Sequence, residues 1–130
     1  MSYATYKNIG IDKDAPSPES MVNVPEIETI EQRKKLIQNY PVVIIKYFTT
    51  WCGPCKTSAP KFAQLAKKYQ EKGIIFVKEN AETNSKDIPD IRGVPCFHFY
   101  FKGKFLADLT VTGAAIDQVE ENILKMLNFV

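Results

Sequence analysis

The sequence VVIIKYFTTWCGPCKTSAP, residues 42–60, places two cysteines, Cys52 and Cys55, shortly after an apolar run. The run, Val42–Phe48, is rich in β-branched and aromatic residues and lacks polar alternation, which is typical of a strand covered on both faces. The segment from Cys52 to about Glu71 predicts a helix with one buried face. Its apolar side chains at helical spacing are Phe62, Leu65, Ala66 and Tyr69. The stretch therefore predicts a central strand that leads into a helix, with Cys52 at the junction.

A second apolar run, Ile74–Lys78, follows a helix stop at Gly73. A strand, a helix and a strand within about 37 residues form a βαβ unit. We therefore expect the two strands to be parallel and the helix to cover one face of the sheet.

The segment before Val42 predicts two shorter elements. Met21–Val24 predicts a short strand. Thr29, with Gln32 three residues later, forms a capping box that opens a helix to about Asn39.

The C-terminal part predicts a hairpin and a last helix. CFHFYF, residues 96–101, and KFLADLTV, residues 104–111, read as antiparallel strands. Residues 80–92 are polar and predict at most one helical turn. A helix from about Ala115 to Leu127 would carry Ile116, Val119, Ile123 and Leu127 on one face. The order of elements predicts an α/β fold with a central mixed β-sheet and helices on both faces.

Length and composition indicate one domain with no strong charge bias. The chain has 130 residues, 17 basic against 15 acidic side chains and a net charge of +2, which favours neither a nucleic-acid partner nor an anionic membrane. Residues 1–20 lack apolar periodicity and are expected to form a mobile arm, so the domain is predicted at 21–130.

The apolar runs are too short for a membrane-spanning segment or a secretory signal. The longest, Val42–Ile45, falls far below the roughly 20 residues that cross a bilayer. We therefore expect a cytoplasmic protein in a reducing compartment, where a close cysteine pair is catalytic or metal-binding more often than structural.

The position of Cys52 at a helix start bears on its reactivity. Unpaired N–H groups at that end stabilise a thiolate and lower its pKa from about 8.5 toward roughly 7. Intrinsic nucleophilicity falls at the same time, so the net gain is only about threefold. Cys55 adds more, because a second thiol one turn away can displace a mixed disulfide intramolecularly.

Two other interpretations of the pair stay open on these grounds. Both cysteines could be small buried apolar residues of the core. A metal site would need four ligands, and the remaining soft ligands are Cys96 and His98, of which His98 also fits a packed strand residue.

The motifs WCGPCK at 51–56, AP at 59–60 and RGVP at 92–95 together resemble the thioredoxin family. The similarity runs in register from about Val42 to Phe101 and more loosely to the C-terminus. It implies a thioredoxin fold and a protein-disulfide reductase, with no bound cofactor other than a redox-active Cys52–Cys55 disulfide. The implied partners are disulfide-containing target proteins and an NADPH-dependent flavin thioredoxin reductase.

The resemblance also implies roles for individual residues. Cys52 would be the exposed nucleophile and Cys55 the buried resolving thiol. The Val94–Pro95 peptide bond would be cis and would lie against the cysteine pair. The residues of the implied target-binding surface are Trp51, Gly53, Pro54, Val94, Pro95 and Gly113. Trp51 could instead be part of the core.

Lys46 departs from the family pattern, which has a buried aspartate six residues before the nucleophile. Lys78 matches the family's lysine on the next strand, so two cations could replace an ion pair. Because burial of an unpaired ammonium is costly, Lys46 is expected to be neutral, to pair with a carboxylate such as Glu79, or to reach water. We hypothesise that cationic character near Cys55 favours its thiolate and makes the couple more oxidising than a standard thioredoxin.

Cys96 is a second departure, since it replaces the family's usual threonine after the proline. We expect it close to the active site, as a third redox thiol, a metal ligand or a small core residue. Three functions therefore compete: a thiol–disulfide oxidoreductase, a thioredoxin-like interaction module attached to an assembly through the arm, and a metal-binding protein that uses Cys52, Cys55, Cys96 and His98.

Overall fold

The computed structural model describes residues 24–129, in which six strands and three α-helices form one sheet with helices on both faces. In chain order the elements are β1 (Glu26–Ile27), α1 (Ile30–Asn39), β2 (Val42–Phe48), α2 (Gly53–Tyr69), β3 (Ile74–Asn80), β4 (Cys96–Phe101), β5 (Lys104–Phe105), β6 (Val111–Thr112) and α3 (Ile116–Leu127). Short 3₁₀ helices occupy Gln70–Lys72 and Ala107–Leu109.

The sheet is mixed, and its strand order is β1-β3-β2-β4-β5, with β6 also paired to β4. β2 and β3 are parallel, and β4 runs antiparallel to β2. The predicted βαβ unit and the central position of Val42–Phe48 are therefore confirmed. Gly73 ends the helical segment with a φ of 86°, a conformation that glycine adopts without steric cost.

The helix at the N-terminal side is confirmed at Ile30–Asn39. The Thr29 hydroxyl accepts the Gln32 N–H at 3.1 Å, and the Gln32 side chain accepts the Thr29 N–H at 3.4 Å. This is the reciprocal pair of a capping box, as expected.

Of the short strand predicted at Met21–Val24, the structure describes only the last residue. Met21–Asn23 lie outside the described residues, Val24 belongs to no strand, and β1 begins at Glu26. Pro25 has no N–H for a ladder and contributes only its carbonyl, which accepts the Lys78 N–H at 2.9 Å.

Strand alternation divides the core between the two faces of the sheet. The first face carries α2 and α3, with a core that includes Ile44, Phe62, Phe76, Phe97, Val119 and Ile123. The second carries α1, with a core that includes Leu36, Val43, Tyr47, Val77, Cys96 and Tyr100. Among residues 24–129, no helix is both long and apolar enough to span a bilayer.

The strand predicted across residues 104–111 is interrupted. β5 and β6 both pair antiparallel to β4, but residues 106–110 between them leave the strand path. Leu106 and Leu109 pack against the core of the first face, and the Asn122 side chain of α3 donates to the Leu109 carbonyl at 2.7 Å. Partial burial of the two leucines and this bond to α3 stabilise the detour.

A buried ion pair connects α1 to β3, and the same arginine also binds the loop that follows β3. The Arg33 guanidinium donates two bonds to the Glu79 carboxylate, at 2.9 and 3.0 Å, and both side chains are almost fully buried. Its remaining donors reach the carbonyls of Asn84 at 2.8 Å and Asp87 at 3.1 Å. Arg33 therefore holds a polar loop that has no helix of its own.

His98 is packed in the second face without charge. Its ring contacts Tyr47 and Phe105, at centroid distances of 5.0 and 4.7 Å. Within residues 24–129 neither ring nitrogen has a hydrogen-bond partner of ordinary geometry. Burial lowers the pKa of His98 to about 4; the nearby Asp90 backbone and charge oppose this shift, and Arg33 adds to it.

We predict that the free energy of unfolding falls as the pH drops from about 6.5 to about 4. The pKa of His98 is lower in the folded protein than in the unfolded chain, so protonation favours the unfolded chain. The contribution of the neutral ring to stability is complete above the unfolded-state pKa. About 3 kcal/mol of it is lost as the pH falls to the folded-state pKa. Urea unfolding at a series of pH values measures the slope. His98→Phe, which cannot be protonated, should show a shallower slope; equal slopes would contradict the prediction.

Candidate active site

The two cysteines lie where the chain passes from β2 into α2, as predicted. Cys52 is the N-cap residue, with extended backbone at φ −86° and ψ 109°, and Pro54 stands in the first helical turn. Cys52 and Cys55 are joined in a disulfide with their Cα atoms 5.2 Å apart. The Cys55 N–H donates to the Cys52 sulfur at 3.0 Å. The sulfur of Cys52 therefore accepts one of the N–H groups that a helix start leaves unpaired.

Burial does not distinguish the two cysteines. Each is only 4% exposed, so Cys55 is buried as expected, whereas the expected exposure of Cys52 is wrong for this oxidised form. The disulfide places each sulfur against the other and covers part of both. Their local bonding differs, since Cys52 accepts the helix N–H and the carbonyl of Cys55 accepts two side chains, Lys46 and Ser58.

Trp51 is 71% exposed, so its alternative assignment to the core is wrong. Its indole N–H donates to Glu82 at 3.1 Å. The other carboxylate oxygen of Glu82 accepts both the N–H and the hydroxyl of Thr50, each at 3.3 Å. One carboxylate thus holds the exposed indole and the backbone before Cys52.

Glu82 is a site residue that the sequence reasoning missed. It lies just after β3, and the cysteine loop follows β2, which is parallel to β3. The carboxyl ends of parallel strands meet at one edge of a sheet, which is where ligands bind in open α/β folds. Applied to the residues just after β3, this rule could have predicted Glu82 as a site residue.

The loop before β4 meets the same edge. The Val94–Pro95 bond is cis, as the resemblance implied. Tyr47 of β2 stands opposite Cys96, the first residue of β4, so the proline lies beside the end of β2. Gly113 donates its N–H to the Pro95 carbonyl at 2.7 Å and has a φ of 101°, where a side chain would be strained. The distant segments 51–55, 94–95 and 113 therefore converge on one edge.

Lys46 is buried beneath the cysteine pair, at 4% exposure. Its amine donates to the Cys55 carbonyl at 2.8 Å and lies 6.0 Å from the centre of the Phe62 ring. Burial, with a smaller contribution from the charge of Lys78, lowers the pKa of Lys46 to about 8. Lys46 therefore bonds to a neutral carbonyl of the active-site helix.

Of the alternatives expected for Lys46, pairing with Glu79 is wrong. Side chains alternate along a strand, so Lys46 and Lys78, which stand opposite each other, share the first face, whereas Glu79 points to the second. There Glu79 binds Arg33. On the other side of β3, Lys78 stands opposite Glu26 of β1. Burial raises the pKa of Glu26, and the charge of Lys78 opposes part of this rise.

Cys96 and His98 lie on the second face, within its core, and both are fully buried. Cys52 and Cys55 belong to the start of α2, which covers the first face. Burial raises the pKa of the Cys96 thiol, which keeps it protonated. Across residues 24–129 no group of three or more His, Cys, Asp or Glu side chains is placed to hold a metal ion. These positions favour the core interpretation of Cys96.

A family model described as Thioredoxin matches residues 23–125 of the chain. The chain belongs to the thioredoxin family. A thioredoxin from Coprinus comatus is 33% identical over 107 residues, which cover 80% of this chain and 98% of that protein. Thioredoxin H1 from Arabidopsis thaliana is 34% identical over 99 residues, 75% of this chain and 83% of that one.

Solved thioredoxins share the fold. A Plasmodium falciparum thioredoxin superposes with a TM-score of 0.70 at 26% identity and covers 77% of this chain and 96% of its own. Family membership and the Cys52–Cys55 disulfide identify this member of the thioredoxin family as a thiol–disulfide oxidoreductase that acts on protein disulfides. They do not favour the interaction module as the main function.

Proposed function

We propose that this thioredoxin reduces protein disulfides with Cys52 as the nucleophile and Cys55 as the resolving thiol. The observation that carries the assignment is the hydrogen bond from the Cys55 N–H to the Cys52 sulfur. A donor at a helix start stabilises negative charge on the sulfur that accepts it. Cys52 is therefore the sulfur that ionises more readily and attacks first.

The reaction has two exchanges that balance. The Cys52 thiolate attacks one sulfur of the target disulfide, forms a mixed disulfide and releases the other target sulfur as a thiolate. Cys55 then loses its proton to solvent and attacks Cys52, so that the Cys52–Cys55 disulfide forms and the second target thiolate leaves. Two electrons pass to the target, whose two thiolates take up protons according to pH.

We propose that the target binds across the edge where the distant segments converge. The residues of this surface are Trp51, Gly53, Pro54, Val94, Pro95 and Gly113. The exposure of Trp51 supports this role, because an exposed aromatic side chain beside a reactive pair offers apolar contact area. The bond from Gly113 to the Pro95 carbonyl supports a fixed loop around the cis proline.

Glu82→Ala is predicted to weaken target binding. Loss of the carboxylate frees the indole of Trp51 and the backbone of Thr50, so the KM for a disulfide substrate should rise by about threefold to tenfold with a smaller change in kcat. Insulin reduction at varied insulin concentration measures both. Glu82→Gln keeps one acceptor oxygen and replaces the other with an amide donor, so its KM should lie between those of wild type and Glu82→Ala. An unchanged KM in Glu82→Ala would contradict this role.

The proposal extends to partners and location. An NADPH-dependent flavin thioredoxin reductase would regenerate the dithiol, and the protein would serve electron transport and redox homeostasis in the cytoplasm. The domain would span 21–130, with 1–20 as an arm outside it, which the family match at 23–125 supports. Lys46 and Lys78 would tune the cysteine chemistry, since Lys46 contacts Cys55 and is influenced by the charge of Lys78.

The proposed function is tested by insulin-disulfide reduction with dithiothreitol as the electron source and metal content measured on the same sample. Metal-free protein should accelerate insulin reduction in proportion to its concentration. NADPH with a thioredoxin reductase should replace dithiothreitol. An absence of turnover by metal-free protein would reject the reductase function, and activity that requires a bound metal would favour the metal-binding alternative.

A further inference from the structure

Lys46 is a buried amine at the active site that the proposed exchange steps do not use. It is 4% exposed, and its hydrogen bond goes to the carbonyl of Cys55. This carbonyl belongs to the same residue as the resolving sulfur. A charge on the amine is thus close to the first turn of α2, in surroundings that water screens weakly.

The groups that face Lys46 come from four elements. β3 contributes Lys78 opposite it, and β1 contributes Glu26 on the far side of Lys78. β4 contributes Phe97 opposite it, and α2 contributes Cys55 and the Phe62 ring. In the oxidised form the two sulfurs are uncharged. Among residues 24–129, the one charge that shifts the Lys46 equilibrium appreciably is the repulsive one on Lys78.

We propose that Lys46 is a redox-linked proton acceptor, whose amine takes up a proton when the Cys52–Cys55 disulfide is reduced and releases it when the disulfide forms. Reduction by a dithiol breaks the S–S bond and adds two electrons. Cys52 is then a thiolate and Cys55 is a protonated thiol. Lys46 gains a proton at those pH values at which its amine was neutral in the oxidised protein. Oxidation returns both protons to solvent.

The physical reason is reciprocity between two charges. A thiolate favours the ammonium form of a nearby amine, and the ammonium favours the thiolate by the same factor. For charges about 8 Å apart at an effective dielectric constant of about 20, the factor is roughly thirtyfold. Since the oxidised form has its Lys46 pKa at about 8, proton uptake on reduction should occur from about pH 8 upward.

This inference rests on the proposed exchange between the two cysteines and adds a role for a third residue. Lys46 is a positioning residue, because its amine contacts the Cys55 carbonyl and neither sulfur is among its hydrogen-bond partners within residues 24–129. Its effect is exerted through the charge on the cysteine pair.

The test equilibrates the protein with dithiothreitol redox buffers from pH 6 to 10 and measures the reduced fraction by thiol alkylation. At pH 7.5 the equilibrium constant for reduction should be roughly thirtyfold larger in wild type than in Lys46→Met, which makes the wild-type couple the more oxidising one. From about pH 8 the ratio of the two equilibrium constants should fall by tenfold per pH unit, which corresponds to about 30 mV per unit in reduction potential. The fall should continue until the two proteins have the same equilibrium constant.

Lys78→Met is the matched variant, because it removes the repulsive charge and leaves Lys46 in place. The equilibrium constant for reduction should be larger in Lys78→Met than in the Lys46→Met, Lys78→Met double variant. This difference should begin to shrink at a higher pH than the difference between wild type and Lys46→Met. If Lys46→Met fails to fold, NMR titration of the lysine ¹³Cε signals in oxidised and reduced wild type measures the coupling between Lys46 and the cysteine pair directly. The Lys46 midpoint should then be higher in the reduced protein.

Parallel pH profiles of wild type and Lys46→Met, or equal Lys46 midpoints in the two redox forms, would overturn the inference while the exchange itself proceeds. A protein that does not exchange with dithiothreitol at any pH would instead reject the proposed function. The two failures are therefore distinguishable.

Discussion

Cys52→Ser is expected to abolish insulin reduction, whereas Cys55→Ser should arrest the reaction as a stable mixed disulfide with the target. A serine hydroxyl is not ionised at neutral pH, so the first variant lacks the proposed attacking group. The second can attack, but it lacks the intramolecular thiol that releases the target, and such proximity is worth many orders of magnitude. We expect turnover at least about a thousandfold below wild type in both.

Non-reducing gels and intact-mass measurement after incubation with insulin separate the two variants. Only Cys55→Ser should carry one insulin chain per molecule, released by dithiothreitol. Cys96→Ser is the matched control, because Cys96 is buried in the second face and should leave turnover close to wild type. Turnover retained in Cys52→Ser, or an adduct on Cys52→Ser and none on Cys55→Ser, would reverse the assignment.

Arg33→Met is expected to lower the free energy of unfolding by about 3–5 kcal/mol, the cost of leaving one partner of a buried ion pair uncompensated. The Glu79 carboxylate is 0% exposed and would lose both guanidinium bonds, and the carbonyls of Asn84 and Asp87 would lose their donor. Urea unfolding followed by far-UV circular dichroism measures the change.

Two further variants separate charge burial from loss of packing. Arg33→Met with Glu79→Leu removes both charges and should recover most of the loss. Lys34→Met removes the exposed contact to Asp87 at 3.6 Å and should change stability by less than about 0.5 kcal/mol. A double variant as unstable as Arg33→Met would show that the buried charge is not the cause.

Local sequence patterns predicted most of the secondary structure. The segment Val42–Phe48 is rich in β-branched and aromatic residues and lacks polar alternation, which predicted a strand covered on both faces inside a sheet. Thr29 and Gln32 satisfy N–H groups within one turn, so the start of α1 needs no distant partner. The prediction failed where distant residues decide. Residues 106–110 leave the strand path because Leu106 and Leu109 pack against the core and Asn122 donates to the Leu109 carbonyl.

The candidate site also has one part that local sequence predicts and one part that depends on distant residues. The pair Cys52 and Cys55 at a strand-to-helix junction is a local feature, and its position is confirmed. The partner of Trp51 is not local, because Glu82 is 31 residues away and reaches it only when parallel strands bring their ends together.

The sequence by itself determined that a cysteine pair opens a helix behind a central strand and that a lysine lies in that strand. Only the tertiary structure decided what the lysine meets. Strand register sets Lys46 opposite Lys78 and sends Glu79 to the other face, where Arg33 binds it. The physical reason is that alternation fixes which residues of one strand share a face, whereas the neighbour across the ladder depends on pairing between segments about thirty residues apart.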